Sequence, residues 1–359
     1  MAFDVFKLDN PKGKLKYNQL LAAFGIKLPH YLLDYYEIFC SGFSNLIVFS
    51  YSNDDSNEKI FMPGYYKPIN IFNEKTSYFD FSTPYGYTGP VFSEKITIEC
   101  IRNFWDLVDK WHREHKVVSE FIRFNLSDNH LFYSGDVFST LLNIKGRIIN
   151  EIEQWKAFEH KVRKNVKRAQ KENISVKLFY QNIGETQIME FYEIYIETMM
   201  RTNASKAFFF KFSDFYKFVN NNKNTSAIGT IYFNEKAISS ELVLVSEDTI
   251  YSFLGGTIAE YFNKRPNDLL KYELISWART QGFKYFVLGG GYGEEDGIFK
   301  YKKSFFPNDV VNFITGRKII NKEIYDKLIV KCNNHRKDLD LSLLEISDTS
   351  FFPLYRKQT

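Results

Sequence analysis

The sequence predicts an α/β protein of two packed domains, each with a mixed central sheet flanked by helices. Length is the first observation, because 359 residues exceed the roughly 150 residues of one ordinary core. The second is the alternation of strand and helix patterns along both halves of the chain. The third is a strand, helix, strand unit in the second half, a pattern that joins two parallel strands. Composition agrees with a globular protein, since 44% of the residues are hydrophobic and 25% are charged.

The strand, helix, strand unit predicts where a ligand binds. An apolar strand over residues 251–254 runs into Gly255 and Gly256, a helix follows over residues 267–281, and a second strand over residues 285–288 runs into Gly289 and Gly290. A right-handed crossover places both glycine pairs at the carboxyl edge of one sheet. Because glycine has no Cβ, a ligand can contact the backbone N–H groups there directly. We therefore expect these four glycines to line a cleft for an extended ligand and to bind a developing oxyanion.

The remaining patterns divide the chain near Gly146. In the first half, helices are predicted over residues 31–39 and 95–115, and strands over residues 46–51, 59–65 and 117–126. In the second half, helices are predicted over residues 151–172, 187–200, 212–219, 299–305 and 322–337, strands over residues 175–180 and 310–314, and an antiparallel meander over residues 227–254. We expect an N-terminal domain over residues 1–147, a C-terminal domain over residues 148–319, and a helix with a tail over residues 320–359.

Composition and charge argue against several classes of protein. The apolar runs are far shorter than the roughly 20 residues that cross a bilayer, and the first residues lack an export-signal pattern. Three widely spaced cysteines give neither a disulfide framework nor a zinc pattern, and a net charge of +4 argues against a protein that coats DNA. We interpret His112 and His115 as part of a solvated helix face, so no metal site is predicted. The cytoplasm is the expected compartment.

Five segments resemble the FemAB-like branch of the GNAT acyltransferase superfamily. They are residues 83–90 (TPYGYTGP), 161–169 (KVRKNVKRA), 265–273 (RPNDLLKYE), 288–291 (LGGG) and 297–305 (GIFKYKKSF). The resemblance covers about residues 30–320. It implies two tandem GNAT-like domains that move an acyl or aminoacyl group onto an amine of a cell-envelope precursor. The acceptor that we favour is an amino sugar of a surface-polysaccharide precursor.

The resemblance also implies an acyl-CoA donor, with acetyl-CoA the first choice, bound in the second domain. The glycine-rich Q/R-x-x-G-x-G/A turn that normally holds the donor pyrophosphate is absent. In its place are Lys264, Arg265 and Asn267, with Asn267 as the expected helix cap. Asp268 lies in the first helical turn and would repel an anion.

Further site residues are assigned by motif or by chemistry. Lys302 matches the family's Phe-Lys pair, a position expected to contact substrate phosphates or developing negative charge. Glu241 and Asp296 are candidate general bases for the acceptor amine, although water could replace them. Three residues are candidates for acceptor binding: Tyr85 and Tyr87, which could stack on a sugar, and Arg201, which could pair with a carboxylate or phosphate.

Two other functions are left open. One is an aminoacyl-tRNA-dependent transferase that extends a peptidoglycan bridge, although no segment between residues 180 and 225 suits the coiled-coil arm of some such enzymes. The other is a non-catalytic module that binds sugar nucleotides. The basic helix carries Lys161, Lys164 and Arg168 on one stripe and Arg163 and Lys167 on another, which is either a solvated surface or a site for a polyanion. Peripheral membrane contact also stays open.

Overall fold

A computed structural model describes residues 1–53, 56–293 and 295–358. The strands are β1 (Ala2–Lys7), β2 (Leu46–Asn53), β3 (Glu58–Ile71), β4 (Glu74–Ser82), β5 (Val91–Phe92), β6 (Val117–Arg123), β7 (Asp136–Arg147), β8 (Ile174–Tyr180), β9 (Ser226–Phe233), β10 (Lys236–Val245), β11 (Thr249–Thr257), β12 (Tyr285–Gly289) and β13 (Val310–Ile319). The α/β class is confirmed.

The helices follow the predicted order, with additions near the amino terminus. They are α1 (Pro11–Ala23), α2 (Leu33–Phe39), α3 (Ile98–Glu114), α4 (Glu151–Ala157), α5 (His160–Ala169), α6 (Glu185–Arg201), α7 (Phe212–Asn221), α8 (Pro266–Thr280), α9 (Gly297–Lys303) and α10 (Lys322–Asp338). Short 3-10 helices cover Pro29–Tyr31, Lys206–Phe208, Ala259–Lys264 and Leu354–Arg356. No helix in the described part of the chain has the length and apolar character needed to cross a bilayer.

The chain forms two compact units. Unit 1 consists of Met1–Ile26, Cys40–Thr140 and Phe313–Thr359, and unit 2 consists of Lys27–Phe39 and Leu141–Asn312. This division differs in two respects from a single boundary at residue 147. A short segment containing α2 belongs to unit 2, and the segment after Asn312, including α10, belongs to unit 1 rather than forming a separate tail.

Unit 1 contains a mixed sheet in the order β1, β2, β3, β4, β6 and the second half of β13. The helix α3 covers one face of this sheet, and its Thr97 cap accepts a hydrogen bond from the Cys100 N–H at 3.2 Å. The helix buries a stripe that is apolar except for His112 and that packs Phe104 and Trp105 in one core with Phe81. The apolar stripe of α3, which repeats with helical spacing, therefore accounts for its packing.

Unit 1 has a second apolar core, in which Leu328 of α10 packs with Leu354 near the carboxyl end of the chain. Tyr355 donates a hydrogen bond to the buried Asp80, and Arg356 Nε donates to the same carboxylate at 2.8 Å. Ser119 Oγ donates to Asp80 at 2.9 Å. Because each carboxylate oxygen has a partner, this buried charge is fully satisfied.

The two parallel strands of unit 1 stay paired to their carboxyl ends. The pairing of β4 with β6 runs from Phe79 and Val117 to Ser82 and Phe121. It continues in the loop, where the Thr83 N–H donates to the Phe121 carbonyl oxygen at 3.1 Å. Unit 1 therefore has no opening between these strands.

Unit 2 contains a mixed sheet in the order β12, β11, β10, β9 and β8, and the end of β7 pairs with β12. Helices α5 and α8 pack on one face through side chains such as Val162, Val166 and Leu270. Helices α6 and α7 pack on the other face through side chains such as Phe191 and Phe215. The helices between residues 180 and 225 thus pack against the sheet instead of extending as an arm.

The predicted long helix over residues 151–172 is wrong, because the chain forms α4 and α5 instead. Phe158 has φ −60° and ψ 144°, an extended conformation that ends α4. Its side chain is 1% exposed in the core. Burial of this ring in the core, and not the helical spacing of the apolar residues, decides the break.

Candidate functional site

The sheet of unit 2 opens between β11 and β12. These parallel strands pair over three positions only, ending at Tyr251 opposite Val287. Beyond that point β11 stays paired with β10, whereas Gly289 of β12 pairs with Ile144 of β7. The strand side chains also change from buried to partly exposed after Ile250. We call this opening, at the carboxyl ends of β11 and β12, the fork.

A buried ion pair lies at the base of the fork. Lys271 of α8 donates hydrogen bonds to both carboxylate oxygens of Glu241 on β10. It also donates to Ser252 Oγ at 2.9 Å, the first residue of β11 past the last strand pair. Lys271 and Glu241 are each 5% exposed. The pair therefore fixes a lysine ammonium where the two strands separate.

A second lysine lies at the other branch of the fork. Lys302 of α9 donates a hydrogen bond at 2.6 Å to the carbonyl oxygen of Gly290, which directly follows β12. Burial and, to a smaller extent, the nearby charge of Lys271 together lower the pKa of Lys302 to about 8. Lys302 is therefore a positioned cation that loses its charge in the slightly alkaline range.

Both carboxylates predicted as general bases have other partners. Glu241 is occupied by Lys271. Asp296 caps α9, where one carboxylate oxygen accepts from the Phe299 N–H at 2.7 Å and the other from the Tyr292 N–H at 2.6 Å. These backbone N–H groups lower the pKa of Asp296, which makes its carboxylate a weaker base. Neither geometry favours a role as base.

The glycines at the fork serve different purposes. A Cβ on Gly256 would lie 2.7 Å from the Ile194 carbonyl oxygen and closer still to Thr198 Oγ1, so α6 requires this glycine. A Cβ on Gly255 would lie 2.8 Å from the Ser240 carbonyl oxygen of β10. Packing therefore explains the first glycine pair, which sequence reasoning had assigned to a ligand.

The second glycine pair shapes the other branch of the fork. Gly289 has φ +75°, a left-handed conformation that L side chains rarely adopt. A Cβ on Gly290 would lie 2.7 Å from the Leu142 carbonyl oxygen. The turn after β12 therefore requires glycine, and this turn presents the Gly290 carbonyl oxygen to Lys302.

The start of α8 is not organised as an anion site. Lys264 forms an ion pair with Glu172 at 2.8 Å. The cap position is Arg265, with φ +58°, followed by Pro266. The prediction of Asn267 as the cap is therefore wrong, because proline is favoured at the first helical position and moves the boundary back.

Asp268 has a structural partner at this helix start. It is 8% exposed and accepts a hydrogen bond from Asn165 Nδ2 at 3.1 Å. Burial raises the pKa of this carboxyl group. Asp268 thus links the first turn of α8 to α5.

The outer face of α5 is a cationic groove. Six side chains line a volume of about 420 Å³: His160, Arg163, Lys164, Lys167, Arg168 and Lys171. The inner face of the same helix buries Val162, Val166 and Ala169. The structure therefore gathers basic residues from both predicted stripes, and Lys161 does not line this groove.

The three residues predicted to bind the acceptor occur in different units. Arg201 ends α6 in unit 2 and is exposed, with its guanidinium 5.0 Å from the centre of the Phe262 ring. Tyr85 and Tyr87 belong to unit 1, where Tyr85 is 62% exposed and Tyr87 packs edge-on against Phe313 at 5.8 Å. Their role in acceptor binding stays a prediction.

The histidines of α3 correct one expectation. His115 is exposed and stacks on Trp111 at 3.9 Å, whereas His112 is fully buried in unit 1. His112 Nδ1 lies 3.5 Å from Glu120 Oε2. Lys318 Nζ lies 2.5 Å from Asp109 and 3.7 Å from Glu120. A lysine ammonium therefore supplies the positive charge for this acidic cluster.

Comparison with protein families identifies the enzyme class. Residues 160–303 match the family described as Acetyltransferase (GNAT) domain. The chain is an acyltransferase that contains a GNAT domain. The matched segment begins at α5 and ends with α9, so it includes the fork and both of its lysines. A GNAT domain implies an acyl-CoA co-substrate in general.

Solved structures show that this acyltransferase has a FemX-like fold. FemX is 12% identical, with 90% of this chain and 99% of that chain covered and a TM-score of 0.62. L-PGS from Bacillus licheniformis is 14% identical, with 90% and 96% covered and a TM-score of 0.54. The C-terminal domain of a putative lysylphosphatidylglycerol synthetase from Agrobacterium fabrum is 10% identical, with 84% and 92% covered and a TM-score of 0.55.

These matches extend over nearly the whole chain. They confirm the predicted tandem GNAT-like fold, and at such identities they establish the fold alone. No curated protein matches the sequence at a significant level.

Sequence reasoning missed Lys271 and Ser252. The signal for Lys271 was its position inside the apolar run Leu269, Leu270, Leu274 and Ile275, because a lysine within the buried part of a helix needs a partner. Ser252 had no comparable signal, since one serine in a strand is common. Both residues take part in the site because Glu241 lies beside them.

Proposed function

We propose that this chain is an N-acyltransferase that moves an acyl group, acetyl first, from acyl-CoA to the amine of an amino sugar. The acceptor is carried on a nucleotide or lipid used to build the cell envelope or a surface polysaccharide. The observation that carries the proposal is the fork, because it separates two parallel strands inside a GNAT domain. A separated strand pair offers backbone groups to a thin, extended ligand.

The proposed chemistry is direct attack. The acceptor nitrogen forms a bond to the thioester carbonyl carbon, the carbon–sulfur bond breaks, and CoA leaves as a thiolate. Lys302 supplies positive charge for the oxyanion or the leaving thiolate. Water takes up the amine proton, since Glu241 and Asp296 are both engaged. We place Lys271 as the residue that holds Glu241 and Ser252 at the base of the fork.

Transfer assays with acetyl-CoA and a panel of amino sugars, free and nucleotide-linked, test the proposal. Release of free thiol and acceptor acetylation by mass spectrometry should rise together for at least one acceptor. The Lys302→Met variant should lose this activity, whereas Lys300→Met, on the exposed side of the same helix, should keep it. Absence of transfer from any acyl-CoA, with no CoA binding at millimolar concentration, would overturn the donor assignment.

A second candidate is transfer of an aminoacyl group from aminoacyl-tRNA to a cell-envelope precursor. Two observations favour it: the cationic groove of α5 and the fold shared with a putative lysylphosphatidylglycerol synthetase, which by its name joins lysine to a lipid. Assays with charged tRNA decide between the donors. Product formation with charged tRNA, and none with acyl-CoA, would replace our first proposal.

The compartment and partners follow from the proposed reaction. Acyl-CoA and nucleotide-linked sugars are substrates of the cytoplasm, which is where we place the enzyme. A lipid-linked acceptor would bring it into peripheral contact with a membrane. A module that binds sugar nucleotides without transfer remains the non-catalytic alternative, and the same assays detect it as binding without product.

A further inference from the structure

The groove on α5 concentrates the positive charge of five side chains. Among the described residues, none of Arg163, Lys164, Lys167, Arg168 and Lys171 forms an ion pair. Arg163 Nη1 donates to the Lys156 carbonyl oxygen at 3.0 Å, which positions it without neutralising its charge. Several of these cations lie three or four residues apart, where like charges destabilise a helix.

On helix α10, by contrast, several lysines form ion pairs with acidic residues. Lys322 pairs with Asp326 and Lys327 pairs with Glu323, both four residues away. Lys331 pairs with Glu74. These three lysines of α10 are thus matched by acids, while the cations of α5 repel one another. A ligand that carries negative charge would remove this repulsion.

The usual place for donor phosphates is blocked in this chain. At the start of α8, Lys264 is neutralised by Glu172 and the buried Asp268 occupies the first turn. Asp268 accepts a hydrogen bond from Asn165, which lies on α5. The groove residues are therefore carried by the segment whose helix α5 is hydrogen-bonded to the start of α8.

Charge and size indicate the class of ligand. A phosphomonoester and a pyrophosphate diester together carry about four negative charges near neutral pH, which approaches the five cations of the groove. The volume of about 420 Å³ falls within the range of sites for small molecules and cofactors. The row from His160 to Lys171 is about 16 Å long at 1.5 Å per residue, long enough for phosphates at two separate positions.

We propose that the α5 groove binds the phosphates of CoA, with its 3′-phosphate and pyrophosphate contacting different cations of the row. This inference rests on the proposed function for its choice of ligand. It moves the phosphate site from the start of α8 to the outer face of α5. Nucleotide sugars share the diphosphate but lack the 3′-phosphate, which allows the two sources to be separated.

Calorimetry on the full chain tests this assignment. Wild type should bind CoA at least tenfold more tightly than 3′-dephospho-CoA or a nucleotide diphosphate sugar. The variant Lys164→Gln/Lys167→Gln/Arg168→Gln should weaken CoA binding at least tenfold and reduce its dependence on salt. The matched control is Lys322→Gln/Lys327→Gln/Lys331→Gln on α10, which removes the same charge and should bind CoA as wild type does.

Two kinds of result would overturn the inference. Unchanged CoA affinity in the α5 variant, or an equal loss in the α10 control, would show that the groove is not the site. Groove-dependent binding of the nucleotide sugar but not of CoA, or of an RNA stem only, would assign the groove to another ligand. Transfer assays keep the two proposals distinct. Normal acetyl-CoA turnover with an unchanged KM in the α5 variant leaves the function standing, whereas groove-dependent CoA binding with no transfer to any acceptor leaves the site standing.

Discussion

The two units of this enzyme differ in how a pair of parallel strands ends. Each contains a parallel strand pair joined by a crossover helix, α3 in unit 1 and α8 in unit 2. In unit 1, β4 and β6 stay hydrogen-bonded to their carboxyl ends. In unit 2, β11 and β12 separate after three pairs. Only unit 2 therefore offers, within the described residues, an opening between such strands.

Lysines that pair with buried carboxylates reinforce the difference. In unit 1, Lys318 forms ion pairs with Asp109 and Glu120. Its ammonium also lies over the rings of Trp105 and Tyr133 in the core. In unit 2, Lys271 serves Glu241 at the base of an opening. One arrangement stabilises a core, and the other also fixes the place where the sheet divides. A repeated fold thus supports the assignment of donor binding to one unit only.

The largest effect that we predict is on stability. Lys271→Met and Lys318→Met should each lower the free energy of unfolding by about 3–5 kcal/mol, because each leaves a buried carboxylate without its cation. Urea denaturation at neutral pH measures the loss. Lys300→Met, an exposed position, should stay within about 0.5 kcal/mol of wild type. A wild-type stability for Lys271→Met would show that the Glu241 pair is not buried in solution.

The second prediction separates the units by activity. Lys302→Met should lower kcat/KM about 10² to 10³-fold, the usual effect of removing one donor to a developing oxyanion. Lys318→Met should leave the activity of the folded fraction near wild type, because its cluster belongs to unit 1. Equal losses in both variants, measured on samples that are folded by circular dichroism, would contradict the assignment of donor binding and catalysis to unit 2.

The third prediction concerns pH. Since burial lowers the pKa of Lys302 to about 8, its ammonium is present below that pH and is lost as pH rises through it. A role for the charged form therefore predicts that kcat/KM falls on the alkaline side with an apparent pKa near 8. Lys302→Arg, which stays charged, should remove this alkaline fall even if it lowers the rate. Activity that rises through pH 8 only in the presence of Lys302 would assign the lysine a role as base.

The smallest predicted effect tests why the glycines are at the fork. Gly256→Ala should destabilise the protein by about 1–3 kcal/mol, since its Cβ would overlap α6. Gly297→Ala, where a Cβ meets nothing within 4 Å, is the matched control and should change the unfolding free energy by less than about 0.5 kcal/mol. If Gly256→Ala is fully stable but loses CoA binding, the ligand explanation of that glycine is restored.

Much of the fold of unit 2 follows from sequence, because its strands and helices have strong periodicity and glycine at their ends. The break at Phe158 does not, since spacing cannot show that a ring turns into the core. Lys302 was found by motif and the fork by its flanking glycines. The ion pair between Lys271 and Glu241 was not predicted from the sequence, because a contact between residues 30 positions apart depends on strand register. Asp296 shows the converse, a carboxylate with a simple capping use.

The order of the segments of the two units along the chain determines the order in which they are synthesised. Every residue of unit 2 leaves the ribosome before the last segment of unit 1, Phe313–Thr359. Until then unit 1 is incomplete, because its Asp80 carboxylate lacks the hydrogen bonds from Tyr355 and Arg356. All residues of the acyl-transfer unit are already available for folding at that stage. Slow translation beyond residue 312 would lengthen this stage and expose unit 1, rather than unit 2, to chaperones and proteases.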